Sequence, residues 1–221
     1  MCYLYQKKTM KSEILVSREW RYAVKKYDKS KNIEVEDLEL ILKAINLAPT
    51  SYGLQPFKII HVKGDKVRAE LKTAAYNQGQ ITDASDLLVF AHATVVHPMI
   101  IDRYFNNLII KRKPNLKEVE SYKNRVTEAL TKWPEAQQAA WCDKQMYIAM
   151  SYGLQAASDL RIDSSAIEGF DQHRFAEILK INTTLWKPTV SLTLGYRSKN
   201  DSSQHLTKVR LSENELIYTF E

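Results

Sequence analysis

The run LLVFAHATVV, Leu87 to Val96, is apolar almost throughout. A run of this length, rich in Val and other β-formers, reads as a strand. Without polar alternation it must be covered on both faces, so the chain needs a sheet with helices on either side. Phe57–Val62 supplies a second strand, with Ile59, Ile60 and Val62 in a β-rich stretch. Pro188–Tyr196 supplies a third, alternating Val190, Leu192 and Leu194 with Thr189, Ser191 and Thr193. The terminal LIYTF is also strand-like in composition.

The intervening segments carry helical periodicity. Glu34, Glu36 and Asp37 load a first turn with acid, and Leu38, Ile41, Leu42 and Ile45 form one apolar face. Pro49 ends that helix. Glu13–Trp20 predicts a short helix, and Val67, Leu71 and Ala74 mark another. Residues 98–140 are mainly helical, with pieces separated at Pro114 and Pro134, and Cys142–Leu160 is one long helix. Its stripe of Met146, Ala149, Met150, Gly153 and Ala157 is core, and the small residues admit a close neighbouring helix. Asp171 caps a helix containing Phe175, Ile178 and Leu179. The expected organisation is one α+β domain over residues 13–221, preceded by a loose N-terminal arm, residues 1–12.

Charge and composition narrow the function. Thirty-two Lys and Arg against 26 Asp and Glu give a net charge of +6, which permits polyanion binding. The cations are dispersed, however, and the one tight run, Lys111–Lys113, reads as a solvated face. No base-stacking pattern or zinc-finger spacing is present, which argues against nucleic acid. Two cysteines, Cys2 and Cys142, suit a reducing cytoplasm rather than a disulfide framework. No apolar run reaches membrane-spanning length. The sequence holds no phosphate-binding GxxxxGK loop, no GxSxG and no HExxH, and its five histidines lack metal-ligand spacing. His97, before Pro98, reads as structural. A chain without its own activated nucleophile depends on a cofactor for reactivity.

Five segments are equipped to hold one. RYAVK places Arg21 and Lys25 four residues apart, and KVR places Lys208 and Arg210 two apart; the two pairs together could surround a phosphate. The loop APTSYGLQPF has more hydroxyls and small residues than a turn requires. NQGQ, Asn77–Gln80, is polar, and in DSSAIEGFD the glycine Gly169 lets backbone approach a flat ring closely.

In order and type, the stretches RYAVKKYD, APTSYGLQPF, DASDLLVF, IDSSAIEGFD, LGY and KVRL resemble the FMN-dependent nitroreductase family over roughly Arg18 to Leu211. The resemblance implies a nitroreductase-like α+β fold, a central mostly antiparallel sheet wrapped by helices, in an intertwined homodimer with FMN at the subunit interface. It implies that Arg21, Lys208 and Arg210 grip the FMN phosphate, with Tyr22 and Ala23 alongside. Lys25 and Asn77 would meet the pyrimidine edge, where a cation favours the reduced ring. The amides of Glu168 and Gly169 would face N5 and O4, with Ala166 and Ile167 along the ring. Pro49, Thr50, Ser51 and Gly53 would come from the partner chain, and Gln145 matches a position near the site.

Four positions depart from the family's usual residues: Ala23 replaces a hydroxyl residue, Gln80 a lysine, Gly53 an asparagine and Ala166 a proline. The implied activity is NAD(P)H-dependent reduction of nitroaromatics, quinones or related small-molecule acceptors by a ping-pong course. Flavin reduction, dehalogenation, enone reduction or flavin breakdown are alternatives on the same fold, decided by residues 103–138. A non-catalytic polyanion-binding module is the third reading.

Overall fold

The computed structural model describes residues 15–221, so the expected arm, residues 1–12, lies outside the described residues. Residues 15–20 are helical, as the sequence predicts. Helix α1, Val35–Asn46, carries Glu36 and Asp37 in its first turn and buries Ile41 and Ile45. A 3₁₀ turn, Ser51–Gly53, then leads to β1, Phe57–Val62. After it come α2, Asp65–Ala74, the one-turn α3, Gln80–Asp83, and β2, Asp86–Ala93. Three helices follow: α4, Pro98–Arg112, α5, Leu116–Thr131, and α6, Glu135–Asp159. Strand β3, Asp163–Ile167, helix α7, Gln172–Ile178, and β4, Trp186–Gly195, complete the core.

The strands form one sheet in the order β1-β2-β4-β3, every neighbour antiparallel. The apolar run becomes a central strand. Leu88 and Phe90 pack with Ile41, Ile45, Met146 and Ala149 of α1 and α6. Leu87 and Val89 pack on the opposite side with Leu71, Ile167 and Phe175. The period of two along a strand thus meets helices on both faces. A further cluster joins Ala91 and Ala93 to Phe105, Val126, Leu130 and Cys142 of α4, α5 and α6. Burial pushes the Cys142 thiol pKa up to about 12, so no thiolate forms there near neutral pH.

Two expectations change in detail. Helix α6 starts at Glu135 rather than Cys142, because Pro134 in extended geometry begins it. Strand β4 is buried on both faces despite its alternation. Its polar residues are satisfied inside: the Tyr27 hydroxyl donates to the Thr193 carbonyl at 3.0 Å, and Thr193 Oγ1 donates to the Ser165 carbonyl at 3.2 Å.

The small-residue stripe of α6 does admit a close neighbour. A Cβ at Gly153 would stand 2.9 Å from Ile45 of α1. Gly153→Val is therefore expected to overpack this contact and destabilise the fold by about 2–3 kcal/mol. Urea denaturation would show a lower midpoint with an unchanged slope.

The strand expected at LIYTF is absent. Ser212 and Glu215 form a capping box on the one-turn helix α8, Glu213–Leu216, and residues 217–220 run on exposed. A β-prone sequence makes a strand only where a partner strand lies beside it.

Candidate cofactor site

The RYAVK segment lies along the free edge of β3. Ala23 bridges Ser164, and the Val24 amide donates to the Ser164 carbonyl at 3.3 Å. Asp201, 1% exposed, fixes the segment from the far end of the chain. Its carboxylate accepts from the Lys25 amide at 2.8 Å, the Lys26 amide at 3.2 Å and the Tyr22 hydroxyl at 3.0 Å. It also accepts from the Ser203 amide at 3.0 Å. Burial pushes its pKa up, but these donors outweigh burial and hold it below the usual carboxylate range. Arg197, paired with Asp163 at 2.6 Å, stands over the rings of Trp20 and Tyr22 at 4.4 and 4.5 Å.

Arg21, at the start of this braced stretch, meets the tail. Lys208 Nζ donates to the carbonyl of Glu19. Burial and then Arg210 lower the pKa of Arg21; burial and then Arg21 and Arg210 lower that of Lys208. Arg21 and the Lys208–Arg210 pair, from opposite chain ends, therefore lie within electrostatic reach of one another; Lys25 is not among those partners. Among the described residues none of the three forms an ion pair with a carboxylate, and Arg21 Nε is buried with no hydrogen-bond partner.

The other end of β3 runs into Glu168 and Gly169, both exposed. Gln78 ties the 77–80 segment to this point, its Nε2 donating to the Gly169 carbonyl at 2.7 Å. Asn77 is exposed, with a left-handed φ of 60° that follows another at Tyr76. Gln80 is buried at the start of α3. Ala166 faces outward between buried neighbours, while Ile167 turns its side chain into the core and offers only its backbone. From α6, the Tyr147 hydroxyl donates to Glu168 Oε1.

The 48–56 loop is held elsewhere. Gln145 of α6 accepts from the Ser51 amide at 2.8 Å, and Arg103 of α4 donates to the Gln55 carbonyl at 2.6 Å. Tyr52 and Gln55 have left-handed φ values of 56° and 46°. Gly53 has φ 69°, and a Cβ there would stand 2.8 Å from the Tyr104 ring. Any side chain larger than glycine's at this position would require the Tyr104 ring to shift. Pro49 is exposed, and Thr50 Oγ1 is buried without a partner. Among the described residues no hydrogen bond links this loop to the other four segments.

The fold thus gathers Arg21, Tyr22, Ala23, Lys25, Lys208 and Arg210 at one end of β3 and Asn77, Gln80 and 166–169 at the other. The 48–56 loop stands apart. Sequence reasoning missed Asp201, Gln78 and Tyr147. Asp201 carries a capping signal, an acid two residues before Ser203, but its contacts to Lys25 and Lys26 span the chain.

The gathered geometry has counterparts. A chain of Staphylococcus epidermidis provisionally named an NAD(P)H nitroreductase (SERP2086) is 30% identical, covering 94% of this chain and 97% of its own. The "Major NAD(P)H-flavin oxidoreductase" of Aliivibrio fischeri is 26% identical over 94% of this chain and 99% of its own. A solved structure from Exiguobacterium sibiricum, determined in complex with FMN, superposes with a TM-score of 0.80 at 18% identity. It covers 95% of this chain and 96% of that one, and is a likeness of fold. Residues 19–196 match the Nitroreductase family, and with those relatives spanning nearly the full length the chain belongs to that family.

Proposed function

We propose that the protein is an FMN-dependent oxidoreductase that uses NAD(P)H to reduce nitroaromatics, quinones or related acceptors, working as a homodimer. The carrying observation is the cluster of Arg21, Lys208 and Arg210, unpaired by carboxylate among the described residues and with Arg21 Nε buried and unpartnered. A buried donor beside mutually repelling cations is the arrangement that a phosphate completes. The residues present therefore fit the phosphate of FMN.

When bound, FMN supplies the two-electron chemistry. The chain's own residues hold and orient it. Arg21 provides a fork, and Lys208 and Arg210 provide charge at the phosphate. Lys25, its backbone fixed by Asp201, would place a cation at the pyrimidine edge, and Asn77 would donate to the same edge. Glu168 and Gly169 offer exposed backbone at the end of β3, positioned by Gln78 and Tyr147. Reductant and acceptor would take turns at the same flavin, which would give a ping-pong course.

Pro49, Thr50, Ser51 and Gly53 are assigned to the flavin of a second copy. Two observations support this. The loop has no hydrogen bond to the other four segments of its own chain, and Thr50 Oγ1 lacks a partner. The tail from Leu206 to Phe220 exposes seven large apolar side chains, Phe220 at 94%. A display of this size belongs in an interface.

The purified protein is expected to be yellow, with flavin bands that bleach under NAD(P)H in the absence of oxygen. A colourless preparation that takes up no added FMN overturns the reading; salt-dependent DNA binding by such a preparation would favour a polyanion-binding module.

A further inference from the structure

Helix α4 and the loop beside it enclose a cavity of about 200 Å³. Its wall is the face of α4 carrying Arg103, Asn107 and Lys111 at four-residue spacing, with Arg112 adjacent; its floor is Gly53, Leu54 and Gln55. Among the described residues, none of these cations is paired with a carboxylate.

A solvated helix end explains part of this. Lys111 and Arg112 sit in the last turn of α4, where cations complement the helix dipole. Arg103 is two turns earlier, beyond the last turn, so the helix dipole does not account for it. Among the described residues it is anchored by one nitrogen: Nη2 donates to the carbonyls of Leu54 and Gln55, and Nε and Nη1 have no protein partner there. Burial lowers its pKa, yet the guanidinium stays charged at neutral pH. The wall therefore combines a positioned, partly desolvated fork with two free cations and an amide. That set suits a phosphomonoester, a dianion with several acceptor oxygens. The cavity is smaller than the ~300 Å³ at which pockets begin to enclose a whole drug-sized ligand, so it takes one end of something longer.

We infer that this cavity is a phosphomonoester subsite that receives the 2′-phosphate of NADPH and makes NADPH, rather than NADH, the preferred reductant. The inference rests on the proposed function in one respect. The floor belongs to the loop assigned to the partner's flavin, so a reductant with its nicotinamide at that ring carries its other end towards α4.

The test has two readouts. Steady-state assays of the flavin-loaded protein compare NADPH with NADH in the wild type, Lys111→Ala/Arg112→Ala and the control Lys63→Ala/Lys66→Ala. The control removes the same charge elsewhere on the surface. Calorimetry titrates 2′,5′-ADP and 5′-AMP into each protein. The wild type is expected to favour NADPH and to bind 2′,5′-ADP more tightly than 5′-AMP. The α4 double variant should lose about tenfold in both preferences, expressed in KM rather than kcat, and the control should lose neither. A wild type indifferent to the 2′-phosphate, a preference that survives in the α4 variant, or an equal loss in the control each overturns the subsite. The two proposals fail separately. A protein that takes up no FMN ends the proposed function, while binding of 2′,5′-ADP that depends on Lys111 and Arg112 would still establish the subsite.

Discussion

Arg21→Ala is expected to weaken FMN retention about 100-fold, roughly 2.7 kcal/mol, while leaving the affinity for riboflavin unchanged. Arg21 is the one member of the cationic cluster with a buried, unpartnered nitrogen. Its surroundings are arranged before any ligand arrives, by Asp201 on the Tyr22 and Lys25 side and by Lys208 on Glu19. A phosphate reaching it gains a charge-assisted hydrogen bond at little ordering cost. Riboflavin lacks the phosphate and should not sense the change. Fluorescence titration with both flavins measures the difference directly. Equal losses for FMN and riboflavin would mean that the substitution has distorted the ring site, and an unchanged FMN affinity would place the phosphate elsewhere.

Stability should move the other way or hardly at all. In the ligand-free chain Arg21 is held near Arg210 and Lys208 with burial against it, so its removal relieves repulsion. Arg210 is exposed, and its Nη1 donates to the Val209 carbonyl next to it. Its contribution to a bound phosphate would therefore be more screened and smaller than that of Arg21.

The fold was legible where the signal is local. The apolar run of β2 required cover on both faces, and the structure supplies α1 and α6 on one side and α2 and α7 on the other. The face of α1, the prolines dividing the helical region and the Asp171 cap were each readable from a few neighbouring residues. The tail misled because LIYTF is β-prone in composition, whereas strand formation depends on a neighbour that the sequence cannot display. The SENE capping box just before it was a local signal that went unread.

The candidate site was legible in the charged residues that the fold brings together and illegible in what positions them. Arg21, Lys208 and Arg210 stand out as cations, and the resemblance supplied their order. Asp201 lies in a polar stretch that reads as an ordinary loop, and its importance appears only when Lys25 and Lys26 arrive from the other end of the chain. Gln78 is one glutamine between two polar residues that attracted attention instead, yet it is the one that reaches Gly169. Long-range hydrogen bonds leave no periodicity to read.

Asp201→Ala is expected to destabilise the protein by about 3–5 kcal/mol at pH 7. The substitution strands the amides of Lys25, Lys26 and Ser203 and the Tyr22 hydroxyl around a site that is nearly closed to water. Asp201→Asn should lose about half as much, ~2 kcal/mol, because the amide oxygen still accepts while its NH₂ faces donors. The sign of the pH dependence follows from the depressed carboxylate pKa. Its stabilisation is fully present above the ordinary unfolded value of ~3.9 and is lost as pH falls through the lower folded value. The gap between wild type and Asp201→Asn in urea denaturation should therefore be widest at neutral pH and shrink below about pH 4. A gap that persists undiminished at pH 3 would show that shape, not the charged acceptor, carries the effect. Because the same carboxylate fixes the backbone on which Arg21 and Lys25 stand, the asparagine variant should lose FMN affinity while still folded. Loss of stability without loss of FMN affinity would separate the brace from the site.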